Sequence, residues 1–94
     1  MYYVYVLLSQ QDNLFYIGYS TNLAERVKRH KAGRVPATKF RLPVILIFYE
    51  AYIDKSDTWR REKYFKTTKG KAVLKSMLKS YLHRTWVIVL ITQL

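Results

Sequence analysis

The sequence predicts an α/β fold of the α+β kind, a small sheet of hairpin and strand covered by helices. Three observations carry this expectation. Residues 2–8 and 15–19 are two β-rich runs split by the polar stretch Ser9-Gln10-Gln11-Asp12-Asn13, as in a hairpin. Residues 44–52, Val-Ile-Leu-Ile-Phe-Tyr-Glu-Ala-Tyr, form a third run of β-branched and aromatic side chains. Between and after these runs, apolar residues recur at helical spacing. The near-continuous hydrophobicity of the first run requires both sheet faces to be covered, and helices are the natural cover.

The helices have recognisable ends. Asn22 precedes Leu23 with Glu25 three residues on, a capping-box arrangement, and Leu23 and Val27 then repeat at helical spacing as far as about Ala32. Gly33 can end that helix, and Pro36 and Pro43 bracket a basic loop holding Lys39 and Arg41. The third strand over 44–52 reads as the sheet centre or its mate. Asp54 can cap a second helix through about Lys66, and Thr67, Thr68 and Gly70 mark a break before a third. There Val73, Leu74, Met77, Leu78, Tyr81 and Leu82 make an apolar stripe read as core packing, with Lys69, Lys71, Lys75 and Lys79 off it.

Composition narrows the function classes. A chain of 94 residues holds one core and room for one site. Seventeen Lys and Arg against six Asp and Glu give a net charge of +11. That excess points to a polyanionic partner, nucleic acid first and membrane lipid second, against the plainer reading of a solvated basic surface. The absence of cysteine excludes disulfides and thiolate metal sites and leaves oxygen and imidazole ligands. The N-terminal apolar run lacks a basic region ahead of it and a small-residue cleavage site, so it reads as a strand and the protein as cytoplasmic. The apolar ending, Trp86 to Ile91, is far short of the ~20 residues of a membrane span.

One constellation could carry chemistry. A hairpin folded about Gln10 and Gln11 brings Tyr5 and Tyr16 close across the ladder. With nine tyrosines in the chain, that pair alone reads first as aromatic packing, and its neighbours change the reading. Arg26 and His30, one helical turn apart, flank the Leu23 and Val27 face and point inward at the tyrosines. The plain alternatives are a salt bridge or snorkelling stem for Arg26 and a satisfied buried imidazole for His30. Lys28 and Arg29 project away, where they suit phosphate. Glu62 lies between Thr58, Trp59 and Phe65 at helical spacing, within an apolar stripe, so it needs a partner. That partner is a divalent cation such as Mg²⁺ or the Arg26 guanidinium.

Taken together, Tyr3-Val4-Tyr5, Tyr16-Ile17-Gly18, Arg26, His30 and Glu62 resemble a GIY-YIG nuclease domain, in particular its small stand-alone members. The similarity runs over roughly residues 2–78, with residues 15–30 its most specific stretch, and residues 61–66 also resemble the segment of the small stand-alone members that holds the metal-binding Glu. The resemblance implies a three-stranded antiparallel sheet flanked by helices, hydrolysing DNA phosphodiester bonds with one divalent metal, Mg²⁺ or Mn²⁺. It implies that Glu62 binds the metal, Tyr5 activates water or acts as base, and Tyr16 orients water or phosphate. By the same resemblance Arg26 stabilises the phosphorane charge and His30 assists the nucleophile or binds phosphate. Positive charge nearby is expected to lower the phenol pKa, and Gly18 to allow a close approach. The first motif departs from the pattern, with Tyr3 and Val4 in place of Gly and Ile. The Asn usual after the metal Glu is also missing, since the only asparagines are Asn13 and Asn22.

The leading expectation is therefore a metal-dependent DNA endonuclease over residues 1–83, with Lys28, Arg29, Lys39, Arg41 and Lys66 on DNA and no membrane contact. Residues 84–94 form an apolar tail, an edge strand or dimer contact among its possible roles. The alternative is a non-catalytic nucleic-acid-binding module on the same fold. A third class, a subunit that recruits a partner through the tail, would show tail-dependent oligomerisation.

Overall fold

A computed structural model describes residues 1–85, and the expected roles of the tail from Trp86 onward, homodimer contact included, lie outside the described residues. The elements run β1 (Tyr2–Ser9), β2 (Phe15–Ser20), α1 (Leu23–Lys31), β3 (Val44–Tyr52), α2 (Lys55–Lys66) and α3 (Thr68–Met77). The chain divides into two compact units, Met1–Lys63 and the part from Tyr64 onward.

In the first unit the sheet order is β2-β1-β3, with both pairings antiparallel. The expected three-stranded antiparallel sheet with helices is the fold of this protein. β1 is the centre and β3 its mate, which explains why β1 is buried without a break from Val4 to Leu8. A central strand covered on both faces cannot alternate apolar with polar residues. β3 alternates at its far end, where Tyr49 and Ala51 are exposed. A register shift falls between Val6 and Leu7, so that Val6 faces Phe48 while Leu7 faces Leu46, and Ile47 is the extra residue of a bulge.

Local chemistry sets the ends of the elements. The turn from β1 to β2 closes on the Ser9 amide donating to the Leu14 carbonyl at 3.1 Å, with Asn13 left-handed at φ 59°, a conformation Asn tolerates. Asn22 caps α1 by accepting the Glu25 amide through its side chain at 3.2 Å. Gly33, at φ 75°, ends α1 by donating to the His30 carbonyl, while the Arg34 amide reaches the Arg29 carbonyl, each at 3.0 Å. This pair of bonds is a Schellman closure. It turns the chain back at once beside His30. Asp54 opens α2 by accepting the Ser56 amide at 2.8 Å.

One sheet face carries the core that meets α1. Tyr5, Leu7 and Val44 are buried there, with Tyr16, Leu23, Val27, Leu42 and Leu46 packed against them. Each such large apolar side chain contributes about 1.5–3 kcal/mol when fully buried. Glu50 on β3 accepts both Arg61 Nε (2.8 Å) and Nη2 (3.2 Å), and Tyr52 Oη donates to the same carboxylate at 2.8 Å. This bidentate pair fixes the rotation of α2 one residue before Glu62.

The α2 stripe expected to bury Glu62 is only partly apolar and buried. Thr58 is buried, but Trp59 is 45% exposed and Glu62 half-buried. Trp59 lies edge-on to Tyr19 with the Lys55 ammonium 4.6 Å from its ring centroid, so it packs at the sheet margin. In the second unit, Thr67 caps α3 by accepting the Gly70 amide at 3.0 Å. Gly70, expected to mark a break, lies inside the helix, buried where an added Cβ would stand 2.9 Å from Phe65 Cα. The apolar stripe is also interrupted. Leu78 closes α3, residues 79–85 are helical again, and Met77 is 47% exposed while Leu74 and Leu82 are buried.

Gly18 is the position where the sheet allows least change. It faces Tyr5 across the ladder, and the Tyr5 ring crosses directly over it, so an added Cβ would run into Cζ and Oη and stand 2.8 Å from Cε1. Gly18→Ala should therefore cost about 1–3 kcal/mol by overpacking. In thermal melts that is a fall of roughly 4–8 °C per kcal/mol. The loss should shrink in a Tyr5→Leu background, and equal losses in both backgrounds would show that the ring is not the obstacle.

Candidate active site

The sheet face that meets α1, together with that helix, gathers four of the five expected catalytic side chains into one connected group. Tyr5 pairs with Gly18 and Leu7 with Tyr16, so Tyr5 and Tyr16 are diagonal neighbours on one face, their ring centroids 6.3 Å apart. Because Gly18 has no side chain, the Tyr5 ring can lie flat across β2 toward α1. There its hydroxyl meets two groups from one face of the helix. Arg26 Nε donates to Tyr5 Oη at 3.3 Å, and His30 Nε2 lies 2.8 Å from the same oxygen. Tyr16 closes over the imidazole at 5.0 Å between centroids.

His30 is fully buried, and its second nitrogen, Nδ1, lies 2.8 Å from the hydroxyl of Thr38, which is also buried. The donors can be ordered from chemistry. Arg26 is a donor only, so Tyr5 Oη accepts from it, and the buried phenol hydrogen, which needs an acceptor of its own, finds it in His30 Nε2. The neutral imidazole then carries its hydrogen on Nδ1 and donates it to Thr38 Oγ1. A chain of four side chains thus runs Arg26, Tyr5, His30, Thr38.

Burial governs the titration of this chain. The Tyr5 phenol is pushed up to about 12, mainly by burial, with the Arg26 hydrogen bond opposing and the Tyr16 and Glu62 charges adding to the rise. The lowered phenol expected from nearby positive charge is therefore not found. Desolvation of a phenolate in the core exceeds the help of one guanidinium. His30 is held down at about 4, first by burial and then by the Arg26 charge. Both groups are neutral near pH 7. Arg26 is raised further by its bond to Tyr5.

Glu62 lies within electrostatic reach of the hydrogen-bonded chain. Its charge raises Tyr5 and, after burial and Tyr2, also Tyr19. Among the described residues no three His, Asp or Glu side chains converge as a metal cage. Both His30 nitrogens are engaged, which removes the imidazole as a ligand. One carboxylate beside phenols suits a hard cation that completes its shell with water and phosphate oxygens, so the donor set fits Mg²⁺ or Mn²⁺.

The basic residues expected on DNA are exposed, with one exception. Lys28 and Arg29 face away on α1, Lys39 is exposed in the loop, and Lys66 is exposed in the second unit. Arg41 is half-buried and paired with Asp12, its Nε 2.7 Å from Oδ2, and this bond holds the Asp12 carboxyl down at about 2.

This geometry can be set beside known proteins. A family model described as the GIY-YIG catalytic domain matches residues 1–76. The chain belongs to the GIY-YIG family. A UPF0213 protein of Staphylococcus haemolyticus is 40% identical over 75 residues, covering 79% of this chain and 90% of the relative. A UPF0213 protein of Streptococcus pyogenes is 38% identical over 71 residues, covering 74% and 76% of the two chains. The solution NMR structure of a UPF0213 protein from Bacillus halodurans matches with a TM-score of 0.53 at 32% identity, covering 82% of this chain and 85% of that one.

Within this GIY-YIG chain the motif residues are joined by two that sequence reasoning missed. Thr38 had no signal beyond a small hydroxyl in a loop read only as basic, and Glu50 none beyond a lone acid in a β-rich run. Gly18 was expected to allow a close approach, and the group that approaches is the Tyr5 ring.

The depressed His30 has a measurable consequence. Between pH 6.5, its ordinary value, and about 4 the unfolded chain binds a proton that the folded chain refuses. Stability from this group is thus complete above 6.5 and lost as pH falls toward 4. That window lies above the one for Asp12, which runs from 3.8 down to about 2. Urea midpoints should fall between about pH 7 and about pH 4.5, less so for His30→Gln. A pH-independent midpoint across that range would contradict the assignment.

Proposed function

We propose that the protein is a DNA endonuclease that hydrolyses phosphodiester bonds with one divalent metal, its nuclease domain spanning residues 1–83 and residues 84–94 forming an appended tail. The observation that carries the reading is the Tyr5 phenol, placed between a permanent cation at 3.3 Å and a neutral imidazole at 2.8 Å. Packing alone asks for neither partner. A phenol that is to take a proton from water must be able to give up its own, and here the acceptor is already hydrogen-bonded.

In this reading the scissile phosphate sits beside Arg26, whose charge meets the negative charge that develops on the phosphorane. Water attacks phosphorus as Tyr5 Oη takes its proton and the Tyr5 hydrogen passes to His30 Nε2, while the P–O bond to one sugar oxygen breaks and that oxygen leaves, taking up a proton from solvent. The resulting imidazolium keeps its Nδ1 hydrogen on Thr38 Oγ1. Phosphate also helps the acceptor, because its negative charge offsets the Arg26 charge that holds His30 down. Tyr16, over the imidazole, orients water or phosphate. Glu62 would hold Mg²⁺ or Mn²⁺, which when bound supplies positive charge to the phosphate oxygens.

DNA is the substrate that suits the charge of +11 and the exposed Lys28, Arg29, Lys39 and Lys66. Among the described residues no helix is long and apolar enough to cross a membrane.

Two measurements test the reading. Supercoiled plasmid should be nicked by the wild type with Mg²⁺ and not with excess chelator. Glu62→Ala should bind equally well without nicking, and Tyr5→Phe should nick about 10²–10⁴-fold more slowly. Equal behaviour of wild type and Glu62→Ala would instead favour a binding module. Affinity for duplex DNA should fall with salt, by about 10³–10⁵ between 50 and 200 mM if roughly 6–10 phosphates are contacted. Salt-independent binding would remove the phosphate contacts from the account.

A further inference from the structure

The turn-rich segment between α1 and β3 presents Phe40 with 78% of its surface exposed. A lone exposed apolar residue is ordinary on a protein surface. This one differs in its setting. Lys39 places its ammonium 4.8 Å from the ring centroid, and Arg34 and Arg41 lie in the same short segment. The most basic loop of the first unit therefore carries its most exposed aromatic ring.

The ring is also held in place. The Thr38 and Lys39 amides both donate to the Val35 carbonyl, at 3.1 and 3.0 Å, and the Arg41 amide donates to the Thr38 carbonyl at 2.8 Å. Ser9 Oγ donates to the Arg41 carbonyl at 2.7 Å, and the Arg41 guanidinium is paired with Asp12. With its amide turned to donate, Gln11 reaches the Phe40 carbonyl at 2.9 Å. Val35 and Thr38 are buried anchors on the N-terminal side of Phe40. A backbone ordered in advance loses little further freedom when a ligand arrives.

The loop is continuous with the candidate site. Thr38, two residues before Phe40, makes the 2.8 Å contact to His30 Nδ1. Two residues of backbone span at most ~7 Å. Whatever rests on Phe40 therefore lies close to the network that would act on phosphate.

We infer that Phe40 is a stacking platform for an unpaired base of the bound DNA, so that the substrate carries an unstacked or single-stranded nucleotide near the cleavage point. This rests on the DNA-nuclease reading and extends it to the class of substrate. A flat ring offers a π-face to any base, and the exposed Arg34 and Lys39 hold phosphate beside it. In a perfect duplex every base is already stacked, and Phe40 has nothing to receive.

The test uses the full chain in chelator, so that binding is read without cleavage. Three DNAs serve as probes: a single strand, a perfect duplex, and the same duplex with one unpaired 2-aminopurine. The wild type should quench 2-aminopurine fluorescence. Phe40→Ala should lose the quench and bind the single strand and the bulged duplex about tenfold more weakly, with the perfect duplex unchanged. Phe40→Trp should restore both. At 78% exposure the ring supports no core, so the melting temperature of Phe40→Ala should match the wild type. Wild-type binding with no difference in Phe40→Ala on any of the three DNAs would overturn the inference and return Phe40 to the protein contacts. Failure of the wild type to bind any of the three would overturn the DNA reading itself.

Discussion

The contact between the Tyr5 hydroxyl and the buried His30 imidazole, 2.8 Å long, is the constraint around which the first unit is arranged. For it to form, β2 must have no side chain where the phenol crosses, α1 must present His30 inward, and the helix must stop at once so that the next segment can return with a hydroxyl for Nδ1. Gly18, the Leu23 and Val27 face, Gly33 and Thr38 meet those demands in turn. Each polar atom in the chain has a partner, and removing one would leave another buried without it, at about 1–3 kcal/mol. The candidate catalytic residues thus belong to the core. Here the usual opposition between a reactive site and a stable fold is small, because Tyr5 is both the largest fully buried side chain among the described residues and the proposed proton carrier.

The same burial makes the resting site unreactive. Tyr5 holds its proton to about 12 and His30 refuses one until about 4, so neither is poised by itself near pH 7. Arg26 acts on both, helping the phenolate while opposing the imidazolium. Under the nuclease reading, an anion beside Arg26 offsets that charge at both groups, which makes His30 a better proton acceptor while Tyr5 holds its own proton more firmly. Substrate charge then becomes part of the catalyst, and the idle protein is protected from wasteful ionisation in its interior.

Much of this was legible in the residues. The β-rich runs, the Asn22 cap, the Gly33 stop and the third strand are local signals, and local signals need only the chain's own backbone to be read. The inward pairing of Arg26 and His30 follows from helical spacing, and the proximity of Tyr5 and Tyr16 from hairpin geometry. What escaped was set by contacts distant in sequence. Thr38 gains its role only because the Schellman turn folds the loop back on His30. Glu50 matters because Arg61, eleven positions on, returns to it. Trp59 and Met77 fit apolar stripes by spacing yet remain substantially exposed, since spacing shows which face a residue shares and not how far the covering surface extends. The phenol was misjudged for a related reason: charge is visible in sequence, while desolvation is a property of the packed interior.

The Ser9 hydroxyl binds in two directions, donating to the Arg41 carbonyl and accepting the amides of Gln11 and Asp12 at 3.2 and 3.3 Å. A single oxygen atom therefore welds the hairpin tip to the far end of the loop that carries Thr38. With the Arg41–Asp12 pair beside it, opening either segment breaks bonds held by the other. Order at the His30 imidazole is thereby tied to a buried hydroxyl at the end of β1, whose loss would loosen both segments.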